Sequence, residues 1–252
     1  MSARVVYWFS CGDASAVSTK LGLSMPKYAG HEKVIVRTVI DSEHSDNERF
    51  AADCEKWYGQ PIINIRSAKY RSHWDVIEQR RYISGHAGAL CTTELKKMPR
   101  FAFQRPDDIH VFGYTIEERA RLELFKKNNF EVTIEAPLVE ARLTKADCHG
   151  IVSRAGIKLP EMYLLGFSNN NCIGCSKAGS ATYWNRIRRH FPDAFDRMAR
   201  AQRAIDYTQV KVSGIPVFLD ELPPDAGAND TEPDIECSLL CAIAEQNIKG
   251  AA

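Results

Sequence analysis

The cysteine spacing gives the clearest indication of chemistry in this chain. Among its eight cysteines, Cys172 and Cys175 form a C-x2-C pair, and Cys237 and Cys241 form a C-x3-C pair near the end. Two close pairs that lie far apart in sequence are typical of a four-thiolate site. The pattern therefore predicts one metal centre bound by all four thiolates, a 4Fe-4S cluster with zinc as the alternative.

A second candidate site follows the first apolar run. Val5–Phe9 is typical of a buried strand, and the next segment, Ser10-x-Gly12-x-x-Ser15, leads into a helical pattern. Gly12 lets the backbone approach a ligand closely, and hydroxyls and free N–H groups at a helix start bind anions. The segment predicts a phosphate cradle. An ordinary strand-to-helix turn is the competing interpretation.

Strand and helix patterns alternate through the first 142 residues. Four more strand-like runs follow Val5–Phe9, at Val34–Ile40, Ile62–Ile65, Ile109–Phe112 and Phe130–Ile134. The alternation predicts a nucleotide-binding α/β domain over residues 1–142, with a doubly wound, mostly parallel, five-stranded sheet. Ligands of such sheets bind beyond the carboxyl ends of the strands, so the loops there should share one pocket. Asp41, just after the second strand, is a candidate for binding ribose hydroxyls or a cation.

The pattern changes after residue 142, where residues 143–252 are predicted to form a helical, metal-binding region. The acidic, proline-containing stretch Asp220–Asp234 is predicted to be an extended strap. Six arginines lie on a helical stretch from Arg186 to Arg203, beside Tyr183 and Trp184. They indicate a nucleic-acid surface in one interpretation and the solvated face of an amphipathic helix in the other.

Composition bounds the class of protein. With 33 Lys+Arg against 32 Asp+Glu, the chain is not coated with positive charge for nucleic acid or anionic membrane. No apolar run approaches the roughly 18 residues of a membrane span. A strand-like run from Arg4 leaves no room for a signal peptide, so we expect a cytoplasmic protein with reduced thiols. Homodimerisation is left open.

The segment Phe9–Val17 resembles a known nucleotide-binding loop. It is similar to the modified P-loop of the adenine nucleotide α-hydrolase-like superfamily, and most to the S-x-G-x-x-[AS]-A-V loop of the phosphoadenosine phosphosulfate (PAPS) reductases. Glu43–Asn47 and Asn169–Cys172 resemble a subfamily common in phages and mobile elements. The resemblance implies an adenine nucleotide, which is PAPS, adenosine phosphosulfate (APS) or ATP, on Ser10, Gly12 and Ser15. Ala14 replaces the aspartate of the ATP pyrophosphatase branch, which favours an already activated nucleotide.

Two later segments extend the resemblance. Cys91–Pro99 is similar to the reductases' Cys-Cys…(Arg/Lys)-Lys-x-x-Pro segment, which implies a catalytic Cys91 and Lys96 and a phosphate-binding Lys97. Gly113-Tyr114-Thr115 corresponds to the G-x-R of relatives, so Gly113 is a nucleotide-site residue. Thr115 stands in place of the arginine, whose anion contact is either lost or taken over by Arg119 or Arg121.

The resemblance also implies a second use of the cysteines. Cluster-bearing reductases take ligands from the Cys-Cys segment and a later C-x2-C pair, which here are Cys91, Cys172 and Cys175, and a fourth would come from the tail. Glu236–Leu239 is similar to their E-C-G-L-H segment, in which the cysteine, here Cys237, attacks sulfur. The quartet of the two pairs is the preferred prediction.

Three functions follow from these observations. The first is PAPS-reductase-like sulfur chemistry on an adenylyl-activated sulfur substrate, with a thiol reductant such as thioredoxin as partner. The second is an ATP-dependent iron–sulfur sulfurtransferase that thiolates nucleic acid, which the arginine helix favours and Ala14 disfavours. The third is a non-catalytic nucleotide-binding accessory of a mobile-element or defence system, which the departures at Thr115 and in the tail favour.

Overall fold

Five strands form one all-parallel sheet, as the sequence predicts. The computed structural model describes residues 3–86, 88–227 and 238–250. The strand order is β3-β2-β1-β4-β5. The bounds are β1 Val5–Trp8, β2 Lys33–Thr38, β3 Ile62–Ile65, β4 Ile109–Val111 and β5 Thr133–Glu135. Val5 of the central strand pairs with Lys33 on one side and with Ile109 on the other. The α/β class and the five-stranded parallel sheet are therefore confirmed.

One strand begins later than predicted. The apolar run that starts at Phe130 was expected to be strand throughout, but β5 begins at Thr133. The chain turns through Asn129, whose carbonyl accepts a hydrogen bond from the N–H of Val132 (3.2 Å). Phe130 lies on this turn and is 89% exposed. Phe130 is therefore an exposed residue of the turn and is not part of the strand.

Helices follow the strands and make up most of the chain after β5. Their bounds are α1 Asp13–Ser24, α2 Asn47–Tyr58, α3 His73–Arg80, α4 Leu90–Thr92, α5 Met98–Phe103, α6 Arg119–Lys127, α7 Pro137–Glu140, α8 Lys145–Arg154, α9 Glu161–Leu164, α10 Ala181–His190, α11 Pro192–Ile205 and α12 Leu239–Lys249. A π-helical turn, Thr93–Lys97, joins α4 to α5. A short antiparallel pair, β6 (Val210–Val212) and β7 (Ile215–Val217), follows α11. In the described ranges, no helix is long and apolar enough to cross a membrane.

Two large apolar clusters hold these elements together. The first contains β1, α1 and α2 and also takes residues from α8 and α12, among them Val152 and Ile248. The second joins Trp74 and Ile77 of α3 to the region around α10 and α11. The helices after residue 142 therefore complete cores that the first 142 residues begin. Of the predicted strap, Asp220–Asp234, the first two residues lie in a short 3-10 turn, Leu219–Glu221, and residues 228–234 lie outside the described residues.

Candidate functional site at the carboxyl edge of the sheet

A cavity of about 600 Å³ opens at the carboxyl edge of the sheet, a volume within the usual range for small-molecule sites. The ends of β1, β2 and β4 contribute Phe9, Thr38 and Phe112 to its wall. Six residues predicted for the nucleotide site line it, namely Ser10, Gly12, Ser15, Lys96, Lys97 and Gly113. The pocket lies where the strand topology predicts, because parallel strands point their carboxyl ends to the same edge.

The loop from Ser10 to Ser15 is held closed by its own side chains. The Ser15 hydroxyl accepts a hydrogen bond from the Ser10 N–H (3.0 Å) and donates one to the Gly12 carbonyl (2.8 Å). Cys11 occupies the left-handed region, with φ of 57°. Its thiol is fully buried, which raises its pKa. Cys11 therefore packs beneath the loop, and the loop presents the N-terminus of α1 to the cavity.

Gly113 is required by the close approach of β4 to this loop. A Cβ atom at Gly113 would lie 2.7 Å from both the N and the Cα of Ser15. Backbone atoms at that distance cannot move aside without displacing the loop. Gly113 therefore positions the phosphate loop by packing against it.

Asparagines from two other segments fix the loop from below. Asn170 donates to the Cys11 carbonyl (2.6 Å) and to the Asn47 Oδ1 (2.7 Å). Both asparagines are buried. In the sequence, the segments of Asn47 and Asn170 are distinguished only by their resemblance to known proteins. Nothing in the Asn-rich loop indicates that Asn170 contacts Cys11, nearly 160 residues away.

A buried acid follows Gly12 at the first position of α1. The Asp13 carboxylate accepts a hydrogen bond from the Tyr163 hydroxyl (2.6 Å) and lies 3.5 Å from the Nδ1 of His149. Burial lowers the pKa of His149, although Asp13 opposes that shift. Tyr163 also touches the loop, because its hydroxyl would be 3.1 Å from a Cβ at Gly12. This network was missed in the sequence, since its members come from α1, α8 and α9.

Lys96 lines the same cavity as the loop from Ser10 to Ser15 and is within electrostatic reach of three cysteines. Its Nζ is 3.9 Å from the Glu43 Oε1. Protein surrounds this lysine, yet 44% of its side chain is accessible because it faces the cavity. Burial is the largest single effect on the pKa of Lys96 and acts to lower it. Glu43 and the three cysteines Cys172, Cys175 and Cys91 act to raise it, and their combined effect is larger, so the pKa is raised. The lysine is therefore a cation in the folded protein.

Glu43 is itself held by a buried arginine. The Glu43 Oε2 accepts a hydrogen bond from Asn47 (3.2 Å) and lies 3.9 Å from the Arg37 guanidinium. Arg37 also lies 3.0 Å from the Glu48 carboxylate. Burial raises the pKa of Glu43 in spite of Lys96 and Arg37. The acid nevertheless lies 3.9 Å from each of two cations, Lys96 and Arg37.

Three cysteines, Cys91, Cys172 and Cys175, affect the charge of Lys96. Cys91 and Cys172 pack together with Leu95 in one apolar cluster, and the Cys91 Sγ is 3.1 Å from the Ser176 hydroxyl. Burial raises the pKa of Cys172 to about 12, although Lys96 lowers it. Cys175 lines a neighbouring cavity that shares Ser168, Asn169 and Asn171 with the main one. The three thiols therefore lie near the main cavity but do not line it.

The C-x2-C turn is fixed from α3 and α10. The Tyr183 hydroxyl accepts a hydrogen bond from the Cys175 N–H (2.8 Å) and donates one to the Cys172 carbonyl (3.3 Å). His73 Nε2 lies 3.0 Å from the Gly174 carbonyl, and its Nδ1 lies 2.6 Å from the Ser42 hydroxyl. A carbonyl only accepts, so Nε2 carries the proton and Nδ1 accepts from Ser42.

Cys241 lies elsewhere in the fold. Its side chain is fully buried in the first apolar cluster, where its thiol contacts Asp147 and Arg154. Cys237 lies outside the described residues. Within the described ranges, no three His, Cys, Asp or Glu side chains are close enough to hold a metal. The structure thus brings Cys172 and Cys175 together with Cys91 and places Cys241 in another cluster.

The remaining residues predicted to contact a ligand differ in whether they line the cavity. Asp41 lies outside its wall and forms an ion pair with Arg66. The buried Thr115 lines the wall, as does Arg121, whereas Arg119 does not. Arg121 stacks over Tyr114 at 5.4 Å and pairs with Glu118. Of the two arginines proposed to replace the family's G-x-R arginine, only Arg121 is positioned to do so.

The predicted arginine surface is largely committed to internal contacts. Arg188 donates to the carbonyls of Leu219 and Leu222. Three further arginines also have protein partners: Arg186 with the Gly166 carbonyl, Arg197 with Glu78, and Arg203 with Asp220 and Glu221. The helix is also broken at Phe191, between α10 and α11. Most of these cations therefore fix the C-terminal elements to the rest of the fold.

Comparisons with known proteins do not add a family to these observations. No protein-family model matches the chain, and no curated protein is significantly similar to it.

Proposed function

We propose that the chain binds an adenine nucleotide in the carboxyl-edge cavity and uses adjacent thiols for chemistry on a sulfur group that the nucleotide carries. The supporting observation is the position of Lys96. This lysine lines the same cavity as the loop from Ser10 to Ser15 and lies within electrostatic reach of three cysteines. One cation therefore connects an anion-binding loop to a thiol cluster.

In this proposal the loop holds the phosphate nearest the ribose. Free N–H groups at the start of α1 and the hydroxyl of Ser10 meet the phosphate oxygens. Lys97, on the π-helical turn beside Lys96, adds positive charge at the exposed side of the cavity. Trp8 and Phe112, whose rings are stacked at 6.3 Å, provide an apolar wall for the base.

The proposed reaction is thiol attack on an adenylyl sulfate. A sulfur–sulfur bond forms to a cysteine, the sulfur–oxygen bond to the phosphate breaks, and the nucleotide leaves with that electron pair. A second thiolate attacks the cysteine sulfur, releases sulfite and leaves a disulfide, which an external dithiol reduces. The two electrons that reduce the sulfate sulfur come from the two thiols. Lys96 stabilises the negative charge on the transferred group.

Cys91 is the proposed first nucleophile. It is half-buried, and Cys172 is the weaker candidate because a pKa of about 12 keeps its thiol protonated. Cys175 is also half-buried and adjoins the neighbouring cavity, so we assign it the second attack. The proposed steps use the protein's thiols alone. The four-thiolate metal centre stays a prediction, and among the described residues no three donors are grouped closely enough to form it.

The proposal is tested by turnover of APS and PAPS with dithiothreitol or thioredoxin. We expect one nucleotide and one sulfite released per cycle. Cys91→Ser and Cys175→Ser should abolish sulfite release, whereas Cys54→Ala, a core thiol on α2, should retain it. Nucleotide binding without sulfite release would contradict the proposed chemistry and favour a non-catalytic accessory.

A further inference from the structure

Arg100 is a cation of the cavity wall for which the structure shows no carboxylate partner. Five lysine and arginine side chains line the cavity in the described chain: Lys96, Lys97, Arg100, Arg121 and Lys145. Lys96 faces Glu43, and Arg121 pairs with Glu118. Lys145 contacts the Ser168 carbonyl and the Asn169 side chain. Lys97 is exposed. Arg100, by contrast, is partly buried, and the described residues place neither a carboxylate partner nor an acceptor for its Nε beside it.

The surroundings of Arg100 are aromatic. Its guanidinium lies 4.9 Å from the ring centre of Phe101, 5.5 Å from that of Phe125 and 5.8 Å from that of Phe112. Its Nε is buried without a hydrogen-bond acceptor in the part of the chain that the structure describes. Burial lowers the pKa of Arg100. Tyr114 and Glu131 act to raise it, but their effect is smaller. Three phenyl rings therefore hold a partly desolvated guanidinium at the wall of the cavity.

An arginine in this state binds anions well. Its guanidinium has already lost part of its hydration, and packing against rings limits the conformational entropy that binding would cost. A planar guanidinium also matches phosphate or sulfate oxygens in pairs. Phe112, which Arg100 contacts, directly precedes Gly113, and Gly113 packs on the loop residue Ser15. Arg100 therefore lies on the β4 side of the phosphate loop, separate from it.

We propose that Arg100 binds a second anionic group of the nucleotide and so selects nucleotides with two anionic groups over the monophosphate. This inference rests on the proposed function, because it assumes that the loop holds the first phosphate. The shared chemistry is a phosphate or sulfate, carried either on the ribose or on the 5′ chain. This contact from Arg100 would also replace the anion contact of the arginine that stands in relatives at the position of Thr115.

Calorimetry with three nucleotides tests this. Adenosine 5′-monophosphate has one anionic group, ADP adds a phosphate on the 5′ chain, and adenosine 3′,5′-bisphosphate adds one on the ribose. We expect wild type to bind one of the latter two about 10-fold to 100-fold more tightly than the monophosphate. Which of the two is preferred identifies where the second group is attached.

Variants separate the role of Arg100 from folding. Arg100→Gln should remove the preference and change monophosphate affinity by less than about threefold, and Arg100→Lys should retain part of the preference. Arg105→Gln is the matched control, since Arg105 pairs with Glu32 outside the cavity wall. A melting temperature for each variant checks the fold.

Each remaining outcome is decisive. Equal affinity of wild type for all three nucleotides would overturn the inference while leaving the proposed nucleotide site intact. A preference that survives in a folded Arg100→Gln variant would also overturn it. Failure to bind any of the three would contradict the proposed function itself, and the inference with it.

Discussion

Lys96 is the residue at which the two ends of the candidate site meet. Its amine is close to the buried Glu43 and to the thiols of Cys91, Cys172 and Cys175, and it is accessible from the cavity. The net electrostatic effect keeps the lysine charged, as anion binding requires. Glu43, Cys172 and Cys175 could not be assigned to Lys96 by spacing, because each lies more than 50 residues from it along the chain, whereas Cys91 lies in the same segment.

Removing this charge should weaken nucleotide binding. We expect Lys96→Ala to cost about 1–3 kcal/mol of binding free energy, the usual value of a charged hydrogen bond. Calorimetric titration with APS measures this cost directly. Lys177→Ala removes a lysine that lines only the neighbouring cavity and should bind like wild type. Equal affinities for the two variants would remove Lys96 from the nucleotide site.

Gly113 makes a second prediction at this scale. A methyl group at this position would meet backbone atoms of Ser15 at 2.7 Å, whereas one at Gly12 would meet the end of the Tyr163 side chain at 3.1 Å. Gly113→Ala should therefore lower the free energy of unfolding by about 1–3 kcal/mol. Gly12→Ala should cost less. In a Tyr163→Phe background the same Gly12→Ala change should cost less still, because the hydroxyl that the new Cβ would meet is absent. Urea unfolding of the variants measures these differences, and equal costs at both glycines would contradict the packing argument.

At the scale of elements, the C-x2-C turn depends on a neutral histidine. Burial lowers the pKa of His73 from its ordinary value of 6.5 to about 4, so the fold favours the uncharged ring. The unfolded chain takes up a proton more readily as pH falls. The stabilisation is therefore complete above about pH 6.5 and is lost as pH falls towards 4, by about 3 kcal/mol.

Urea unfolding between pH 7 and pH 4 measures this loss. His110 contributes in the same direction, because burial also lowers its pKa to about 4. A His73→Asn variant should be less stable at pH 7 and should lose less stability on acidification than wild type. An unchanged pH dependence in that variant would show that His73 does not titrate as described.

Arginines of helices α10 and α11 also stabilise the fold. Arg188 contacts two backbone carbonyls of the segment after β7. Arg188→Ala should lower the free energy of unfolding by about 1–3 kcal/mol because it leaves those carbonyls without that donor. The neighbouring Arg189 is exposed, and Arg189→Ala should change stability by less than about 0.5 kcal/mol. Thermal unfolding distinguishes the two, and equal destabilisation would contradict the assignment.

The parallel sheet and the strand-to-helix turn after its first strand could be predicted because their signals are local. A β-branched run, a glycine and two serines specify a strand and the turn after it over a few residues. The positions of Asn170, Tyr163 and His73 could not be predicted, since each contacts a residue about 30 to 160 positions away. The cysteine pairs show the same limit, because spacing within a pair does not indicate which pairs meet.

At the scale of the whole molecule, two C-terminal helices pack against the helix that follows the first strand. α8 and α12 pack against α1 in the first apolar cluster, and the Ser238 hydroxyl donates to the Asp147 carboxylate (2.6 Å) at the start of α12. Asp147 in turn accepts from Thr144 in the capping box of α8. Helix α1 is thus fixed between the sheet and the C-terminal helices, and the proposed anion-binding loop before it would be preorganised.

The measurement that tests the nucleotide site most directly is calorimetric binding of adenosine 5′-monophosphate to wild type, Ala14→Gln and Ala14→Glu. Ala14 lines the cavity in the first turn of α1, where a carboxylate is favourable for the helix. The two variants differ only in charge. We predict binding to wild type and to Ala14→Gln, and affinity at least about tenfold lower in Ala14→Glu because its carboxylate repels the phosphate. Equal affinity in the two variants, or no binding to wild type, would contradict a phosphate site at this loop.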